Sequence, residues 1–346
     1  MNASLPALLG FPFAAPPSAG DATEVAAGIF WLRMPLPFAL DHINLWLLAD
    51  GERWTQIDCG YGDAATRSLW ETHFERTLQG RPLERVVATH YHPDHLGNAA
   101  WLVDRFGCPL VMAQGEYLTA HMMGNGWASY NNSAICELFR VHGMDEAHLE
   151  PMRGRGNHYR RGVPELPSTY RRVVDGDVMT IGRQRWRSFA GYGHSPEHMA
   201  LHCEGRGVCI SGDMLLPKIS TNVSVSASEP EGDPLGRFLD SLAAFSSLPP
   251  DTLVLPSHGL PFVGAAVRVA QLHAHHAARL TELEAAAQEP RSAAELVPVL
   301  FRRELDVQQR FFAMGEAIAH LNHLWHAGRL ARIIDDDGTI RFRGTH

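Results

Sequence analysis

The stretch Thr89-His90-Tyr91-His92-Pro93-Asp94-His95-Leu96-Gly97-Asn98 decides the fold of this chain. It places four side chains that can hold a metal within six residues, directly after the strand-like run 83–88. Because alternate side chains of an extended chain face the same way, His90 and His92 can grip one ion. Asp94 and His95 fall where the chain turns into a helix, from which they can reach a second ion. An HxHxDH pattern is far more specific than a lone HxH pair.

Three later residues fall where a completed site would need them. They are His194 in Gly191-Tyr192-Gly193-His194-Ser195-Pro196-Glu197-His198, Asp213 in Ile210-Ser211-Gly212-Asp213, and His258 in Leu255-Pro256-Ser257-His258-Gly259. From about Ile29 to Gly264 the chain therefore resembles the metallo-β-lactamase superfamily, with its ligand motifs present and in order. The resemblance implies an α+β fold, a four-layered αββα metallo-β-lactamase sandwich that holds one or two metals at the edge of its sheets.

The resemblance also implies a complete dinuclear ligand set. Its members are His90, His92 and His194 for the first ion, Asp94, His95 and His258 for the second, and Asp213 as the bridge. Imidazole and carboxylate ligands suit two Zn²⁺ ions, with iron or manganese as alternatives. Two such ions roughly 3.5–4 Å apart lower the pKa of a shared water, so a metal-bridging hydroxide is the expected nucleophile. Asp94 and His258 are also predicted to take part in catalysis.

Asp58, in Gln56-Ile57-Asp58-Cys59-Gly60, stands where similar proteins carry an acidic residue behind the metal site. Its implied role is to accept a hydrogen bond from a ligand and fix the orientation of that ligand. The alternative is a simple turn-former before Gly60.

For the ligands, the alternative is a set of unrelated residues, because only five of the twenty histidines fall in the motifs. Five separate motifs in the right order favour the metal site. The histidines interpreted as non-ligands, at surface or capping positions, are His198, His202, His273, His275 and His276.

Composition describes an ordinary globular protein. The chain has 346 residues, 45% of them hydrophobic and 20% charged, which is ample for a buried core. A formal charge of −8 gives no general attraction to nucleic acid or to an anionic membrane. No apolar run reaches the length of a membrane span, so no membrane partner is expected.

Cysteine usage and the amino-terminal residues bear on the compartment. The five cysteines are odd in number, scattered and without a CxxC pair, which favours free thiols in a reducing cytoplasm. Residues 1–20 are interrupted by prolines and lack a basic start, so they do not read as a signal peptide. A cytoplasmic protein is expected.

The chain divides into three parts. Residues 1–23 are predicted to form an irregular arm packed across the domain or a neighbouring subunit, 24–264 the metallo-β-lactamase domain, and 265–346 a helical, winged-helix-like domain. Period-2 and helical patterns predict the elements. The strands are 29–34, 42–48, 54–58, 83–88 and 109–113, then a second sheet of 171–174, 178–181, 185–189, 199–202, 208–210 and 252–255; the helices are 63–79, 98–106, 234–246, 266–288, 292–305 and 308–327.

A helical insertion at about 114–172 interrupts the strand rhythm. The resemblance implies that it roofs the active-site groove and helps to select the substrate, although its apolar residues could equally form a satellite core. Four of its residues, Arg153, Arg155, Arg160 and Arg161, could clamp an anionic group of the substrate, with a solvated loop as the alternative. Tyr192 and Lys218, the only lysine, could also touch a substrate, and each could equally be an ordinary loop residue.

The C-terminal helices and the hairpin predicted after Arg329 resemble the winged-helix-like appendage of one branch of the superfamily, which includes endoribonucleases. From Ala266 onward ten arginines face ten acidic residues, so the positive charge that phosphate binding needs is missing. The preferred interpretation is a module for packing or dimerisation, so a homodimer is one assembly that the chain could form. Nucleic acid is disfavoured as a partner but stays open.

These features favour a metal-dependent hydrolase acting on a thioester or related acyl ester of a small molecule. The first alternative is a ribonuclease or other phosphodiesterase, suggested by the C-terminal domain, and a lactonase is the second. An alternative of another class is an iron-dependent oxidoreductase, but such relatives usually carry an extra domain or a reduced ligand set.

Overall fold

A first sheet of seven strands forms one half of the molecule in the computed structural model, which describes residues 8–345. Its strands follow one another in chain order and run antiparallel up to the fourth, then parallel. They are β1 (Thr23–Ala26), β2 (Ile29–Pro35), β3 (His42–Asp50), β4 (Arg53–Ile57), β5 (Leu83–Val87), β6 (Leu110–Met112) and β7 (Arg171–Arg172).

A second sheet of five strands forms the other half. Its order is β12-β11-β10-β9-β8, and only β11 and β12 are parallel. The strands are β8 (Val178–Ile181), β9 (Gln184–Gly191), β10 (His198–Cys203), β11 (Val208–Gly212) and β12 (Leu253–Pro256).

Three apolar cores hold the layers together. Between the sheets, buried Trp31 and Trp46 of the first sheet pack with Trp186 and Leu201 of the second. Helices cover the outer face of each sheet, because those faces are also apolar. The predicted four-layered αββα sandwich is confirmed.

The helices on the first sheet's side are α1 (Ala64–Arg76), α2 (Pro93–Leu96) and α3 (Ala99–Phe106). The insertion supplies four more, α4 (Gln114–Asn125), α5 (Asn132–Val141), α6 (Glu146–Arg153) and α7 (Tyr159–Gly162). Buried Phe139 and Leu149 of this insertion belong to the same core as the C-terminal helices, so the insertion joins the two regions.

The helices on the second sheet's side are α8 (Pro234–Ser246), α9 (Ala265–Ala286), α10 (Ala293–Leu300) and α11 (Val307–His326). Capping boxes start both α10, at Ser292, and α11, at Asp306. A small sheet closes the chain with β13 (Arg291–Ser292), β14 (Leu330–Ile334) and β15 (Ile340–Gly344), in the order β13-β15-β14.

Two predicted elements differ from the structure. The sequence pattern places the run 171–174 in the second sheet, but its strand pairs in parallel with Val111 and Met112 of the first sheet. The reason is that the short β6 leaves an open edge, where the chain lands on returning from the insertion. The helix predicted over 292–305 ends at Leu300, because the chain must leave that helix to reach the separate cap of α11 at Asp306.

The amino-terminal arm lies across its own domain over its described part. Gly10 forms a bridge with Val263, and the ring of Phe13 packs edge-on against Trp31. Residues 1–7 of the predicted arm lie outside the described residues.

All five cysteines are free and buried. Burial raises the pKa of the Cys59 and Cys209 thiols, and that of Cys108 to about 11. Within 8–345, no helix combines the length and apolar character that crossing a membrane would require.

A buried histidine pair, His276 and His320, joins α9 to α11, so a surface position, one of the two predicted for His276, is wrong. The Nδ1 atom of His320 lies 2.8 Å from the carbonyl oxygen of Glu316, which can only accept a hydrogen bond. The Nε2 atom of His320 is therefore free to accept from Nδ1 of His276, 3.1 Å away. Both rings are neutral because burial lowers the pKa of His276 to about 3 and that of His320 to about 4.

We expect this pair to make folding stability sensitive to acid. A histidine in the unfolded chain titrates near pH 6.5. Below that pH the unfolded chain therefore binds protons that the buried native pair does not bind. Each such histidine then lowers the free energy of unfolding by about 1.4 kcal/mol per pH unit until its native pKa is reached. Urea unfolding between pH 6.5 and 5 should show a shallower pH slope for His276→Gln, whereas exposed His273→Gln on the same helix should match the parent. Equal slopes for all three proteins would contradict the assignment.

Candidate metal centre

The candidate residues lie in loops that follow five strands, β4, β5, β9, β11 and β12. The parallel pairs β4–β5 and β11–β12 end at the same edge of their sheets. Strand β9 runs in the direction of β11, because each is antiparallel to β10. The seven candidate ligands therefore meet at one edge of the sandwich.

The first group brings together His90, His92, His194 and Asp213. The Nε2 atom of His90 lies 2.9 Å from Nδ1 of His92 and 3.2 Å from Nε2 of His194. Oδ2 of Asp213 lies 3.4 Å from Nε2 of His194. One donor atom from each residue falls within 4.8 Å of the others, which is close enough for a single ion to bind all four.

The second group brings together Asp94, His95 and His258. Oδ2 of Asp94 lies 3.5 Å from Nε2 of His258 and 3.7 Å from Nε2 of His95. Oδ1 of Asp213 lies 3.4 Å from Nε2 of His95 and 3.5 Å from Nε2 of His258. Asp213 thus turns one oxygen toward each group.

The outward nitrogens of three candidate ligands are held by oxygens that can only accept. Nδ1 of His194 donates to the carbonyl of Asn222 at 2.7 Å, and Nδ1 of His258 donates to that of His42 at 2.8 Å. Nδ1 of His95 donates to Asp58 at 2.8 Å. When these rings are neutral, as metal binding requires, each inward Nε2 carries a lone pair. Among residues 8–345, Nε2 of His95 and Oδ1 of Asp213 are buried without a hydrogen-bond partner, so this donor set fits a divalent cation.

The two groups differ in charge. Burial, together with the neighbouring His194, lowers the pKa of His92 to about 3, and burial also lowers that of His90, so these two rings offer neutral nitrogens to the first group. Burial also tends to lower the pKa of His258, but Asp213 and Asp94 raise it to about 10. In the metal-free chain the two carboxylates therefore stabilise a proton on His258, which bound cations would displace.

Asp58 lies behind the second group. It is buried, and its carboxylate accepts hydrogen bonds from the backbone N–H of Thr89 and from Nδ1 of His95. Its φ of 58° is in the left-handed region, which aspartate tolerates better than most residues. One carboxylate thus sets both the start of the HxHxDH loop and the direction of His95.

His198 is buried, so a surface position, one of the two predicted for it, is wrong. It belongs to neither ligand group. Its Nε2 atom accepts a hydrogen bond of 3.1 Å from the backbone N–H of Asp213. A Cβ on Gly212, whose φ is 54°, would lie 2.3 Å from that nitrogen, so glycine is required there.

Glu116, in the first turn of α4, joins two ligand loops. Its Oε2 accepts from the N–H of Tyr91, between His90 and His92, at 2.9 Å. Its Oε1 accepts from the hydroxyl of Ser195 at 2.7 Å and from the N–H of Glu197 at 2.6 Å, just after His194. Burial raises the pKa of Glu116 to about 7, while these hydrogen bonds oppose that shift.

Asn44 supports the loop that carries His258. Its side-chain amide is buried and donates to the carbonyls of Pro256, at 2.9 Å, and Gly259, at 2.8 Å. Its Oδ1 accepts from the indole N–H of Trp31, so each polar atom of the side chain has a partner.

Residues 39–258 match the family model described as the metallo-beta-lactamase superfamily, and residues 280–345 match that of the metallo-beta-lactamase-like C-terminal domain. The chain belongs to the metallo-beta-lactamase superfamily. A crystal structure of a beta-lactamase domain protein from Burkholderia ambifaria superposes on it with a TM-score of 0.91 and 51% identity, covering 97% of this chain and 98% of that one. A metallo-beta-lactamase family protein from Thermus thermophilus gives a TM-score of 0.78 and 28% identity, covering 93% and 100%.

Curated relatives in this superfamily are more distant in sequence. The probable metallo-hydrolase YqjP of Bacillus subtilis (strain 168) is 25% identical, over 85% of this chain and 91% of its own length. A hydroxyacylglutathione hydrolase of Idiomarina loihiensis is 20% identical, over 64% of this chain and 62% of its own length.

The arginines proposed as a clamp are in different situations. Arg153 pairs with Glu146 of its own helix and so already has a carboxylate partner. Arg155 lies 3.5 Å from the side chain of Gln308, and Arg161 donates to the carbonyl of Arg155. Arg160 lines a surface depression beside His121. Burial and the charge of Asp63 raise the pKa of Tyr61, and the nearby Arg161 guanidinium partly opposes that shift.

Tyr192 lies two residues before His194, and Lys218 lies five residues after Asp213. Tyr192 is exposed, and its backbone N–H donates to Ser241. Lys218 is exposed and directly follows Pro217. The ring of Pro217 packs against Gly259, the residue after His258, so Lys218 lies near the rim of the second group.

The supporting roles of Glu116, His198 and Asn44 were not predicted from the sequence. Glu116 sits in a helix beside other polar residues, and Asn44 lies in an otherwise apolar strand. The one usable signal was a polar residue at a buried strand position, because such a residue requires hydrogen-bond partners.

We expect Glu116→Gln to weaken zinc binding by about 10- to 100-fold, because an amide can replace only one of the two acceptor oxygens and an N–H beside the ligands loses its partner. Stability should fall by about 1–3 kcal/mol for the same reason. Chelator competition and urea unfolding measure the two effects. The control is Glu150→Gln, on an exposed carboxylate of α6, which should change neither. A folded Glu116→Gln with the parent's zinc affinity would contradict this role.

Proposed function

We propose that the protein is a two-metal hydrolase that cleaves thioesters or related acyl esters of small molecules. The observation that carries the proposal is the position of Asp213, whose two carboxylate oxygens face two separate groups of ligand atoms. One carboxylate turned toward both groups is the arrangement that a pair of cations requires.

The residues that would hold the ions are the two groups described above, with Asp213 shared. Their imidazole and carboxylate donors suit Zn²⁺, and iron or manganese would also fit. When bound, such a pair supplies a water of lowered pKa and a positive charge for the developing oxyanion.

Hydrogen bonds within the chain fix the orientation of these ligand rings. The carbonyl of Asn222 holds the Nδ1 proton of His194, and the carbonyl of His42 holds that of His258, so neither ring can turn its lone pair away. Asp58 does the same for His95 through a buried carboxylate. Asp94 and His258, the residues predicted to be catalytic, face each other across 3.5 Å at the second group.

Substrate contacts would come from the rim of the centre. Lys218 beside the second group and Arg161 beside Tyr61 offer positive charge to an anionic carrier. Arg153 already pairs with Glu146, so we do not include it in this clamp.

Two further features support an acyl thioester. One relative is named a hydroxyacylglutathione hydrolase, which acts on a thioester. The charge of −8 and the balanced charge of the C-terminal domain disfavour RNA.

The test is a substrate panel of glutathione and coenzyme A thioesters, lactones and single-stranded RNA, each assayed with zinc, manganese or iron(II) and after chelation. We expect metal-dependent thioester hydrolysis that Asp213→Asn reduces at least about 100-fold, because outer partners of a ligand alone account for 10- to 100-fold. Asp240→Asn, which changes an exposed carboxylate on α8, should leave the rate unchanged.

Turnover of lactones or RNA without thioesters would overturn the substrate assignment while leaving the metal centre intact. A protein that binds no metal, or an Asp213→Asn variant with the parent's activity, would overturn the hydrolase mechanism itself.

A further inference from the structure

Segment 214–225, between β11 and α8, contacts all three of the later ligand loops. It directly follows Asp213, and Thr221 donates a hydrogen bond back to the carbonyl of Asp213. The carbonyl of Asn222 holds Nδ1 of His194 at 2.7 Å, and Pro217 packs against Gly259 beside His258. The segment contains no helix or strand, so contacts from outside determine its path.

One outside contact comes from α9 of the C-terminal domain. Arg268 is buried, and its guanidinium donates to the carbonyls of Leu216, at 2.6 Å, and Ile219, at 2.8 Å. Its remaining hydrogen bond goes to Gln271 on the same helix. A buried guanidinium fits here because its planar fork matches these backbone acceptors.

The other contact comes from α11. The carbonyl of Gly315 accepts a hydrogen bond from the N–H of Val225, at 3.3 Å. A Cβ on Gly315 would lie 2.8 Å from Oγ and 2.9 Å from Cβ of Ser224, so the absent side chain allows the helix to touch the segment. The hydroxyl of Ser224 in turn donates to the side chain of Asn222.

We infer that the C-terminal domain is a structural part of the metal centre, in which Arg268 and Gly315 are positioning residues that fix segment 214–225 and thereby aim His194 at the first ion. This inference rests on the proposed role of His194 as a ligand. It gives the C-terminal domain a role in the centre itself, separate from packing between subunits or binding of nucleic acid.

The sharpest test is a rescue experiment at the contact of Gly315 with Ser224. Gly315→Ala raises the helix propensity of α11, yet its methyl group must push the segment away. We expect it to weaken zinc binding by about 10- to 100-fold and to alter the d–d absorption spectrum of the Co²⁺-loaded protein, which reports ligand geometry. Ser224→Gly removes both clashing atoms, so the double variant should regain the affinity and spectrum of Ser224→Gly alone.

Arg268→Met tests the second contact independently. The methionine keeps an unbranched apolar stem but removes the guanidinium that donates to Leu216 and Ile219. The variant should therefore also weaken zinc binding and change the Co²⁺ spectrum. The matched control is Arg279→Met on the same helix, because the hydrogen bond that Arg279 donates is local, to Glu282. Urea unfolding of each variant without metal shows whether the variant is folded, so that a change in zinc binding is not mistaken for a loss of the fold.

The inference would be overturned if folded Gly315→Ala had the zinc affinity and the Co²⁺ spectrum of the parent. It would also be overturned if Gly315→Ala weakened zinc binding and the added Ser224→Gly did not restore it. If the parent protein binds no metal, or His194→Ala does not weaken binding, the proposed function fails first. If the parent binds metal through His194 and Gly315→Ala does not matter, only this inference fails.

Discussion

The structure depends on bringing histidine nitrogens and aspartate carboxylates together at one edge of the sandwich. In the first group, ring nitrogens of His92 and His194 lie 2.9 Å and 3.2 Å from Nε2 of His90, and two carboxylates face the second group. Such an arrangement is costly to bury unless positive charge compensates it. Protons on His258 provide part of that compensation in the metal-free chain, and cations would provide the whole of it.

This constraint explains why so many supporting groups are buried hydrogen-bond acceptors. Asp58 and the backbone carbonyls of His42 and Asn222 each hold one ligand proton outside the centre. Glu116 and His198 act one step further out, on the backbone of the ligand loops. The sandwich brings the ligand loops to one edge of its sheets, while these hydrogen-bond acceptors fix the directions in which the ligand atoms point.

Motif and periodicity predicted much of the fold, because the HxHxDH run and the strand alternation are local in sequence. Helix α8 has the predicted bounds, 234–246, since Asp233 and Pro234 mark its start locally. The supports were not predictable in this way. Asn44 acts on a loop more than 200 residues away, and the pairing of β7 depends on which edge the insertion leaves open. Neither relation leaves a periodic signal in the sequence.

The burial of the five cysteines has a practical consequence. A thiol reacts and binds metals as the thiolate, and burial in apolar surroundings makes that form less accessible. Within the described residues, zinc supplied to the folded protein therefore meets no exposed native thiol that could compete for it. One cysteine engineered in the 114–172 insertion, for example at the exposed Trp127, would be a single site for attaching fluorophores or spin labels.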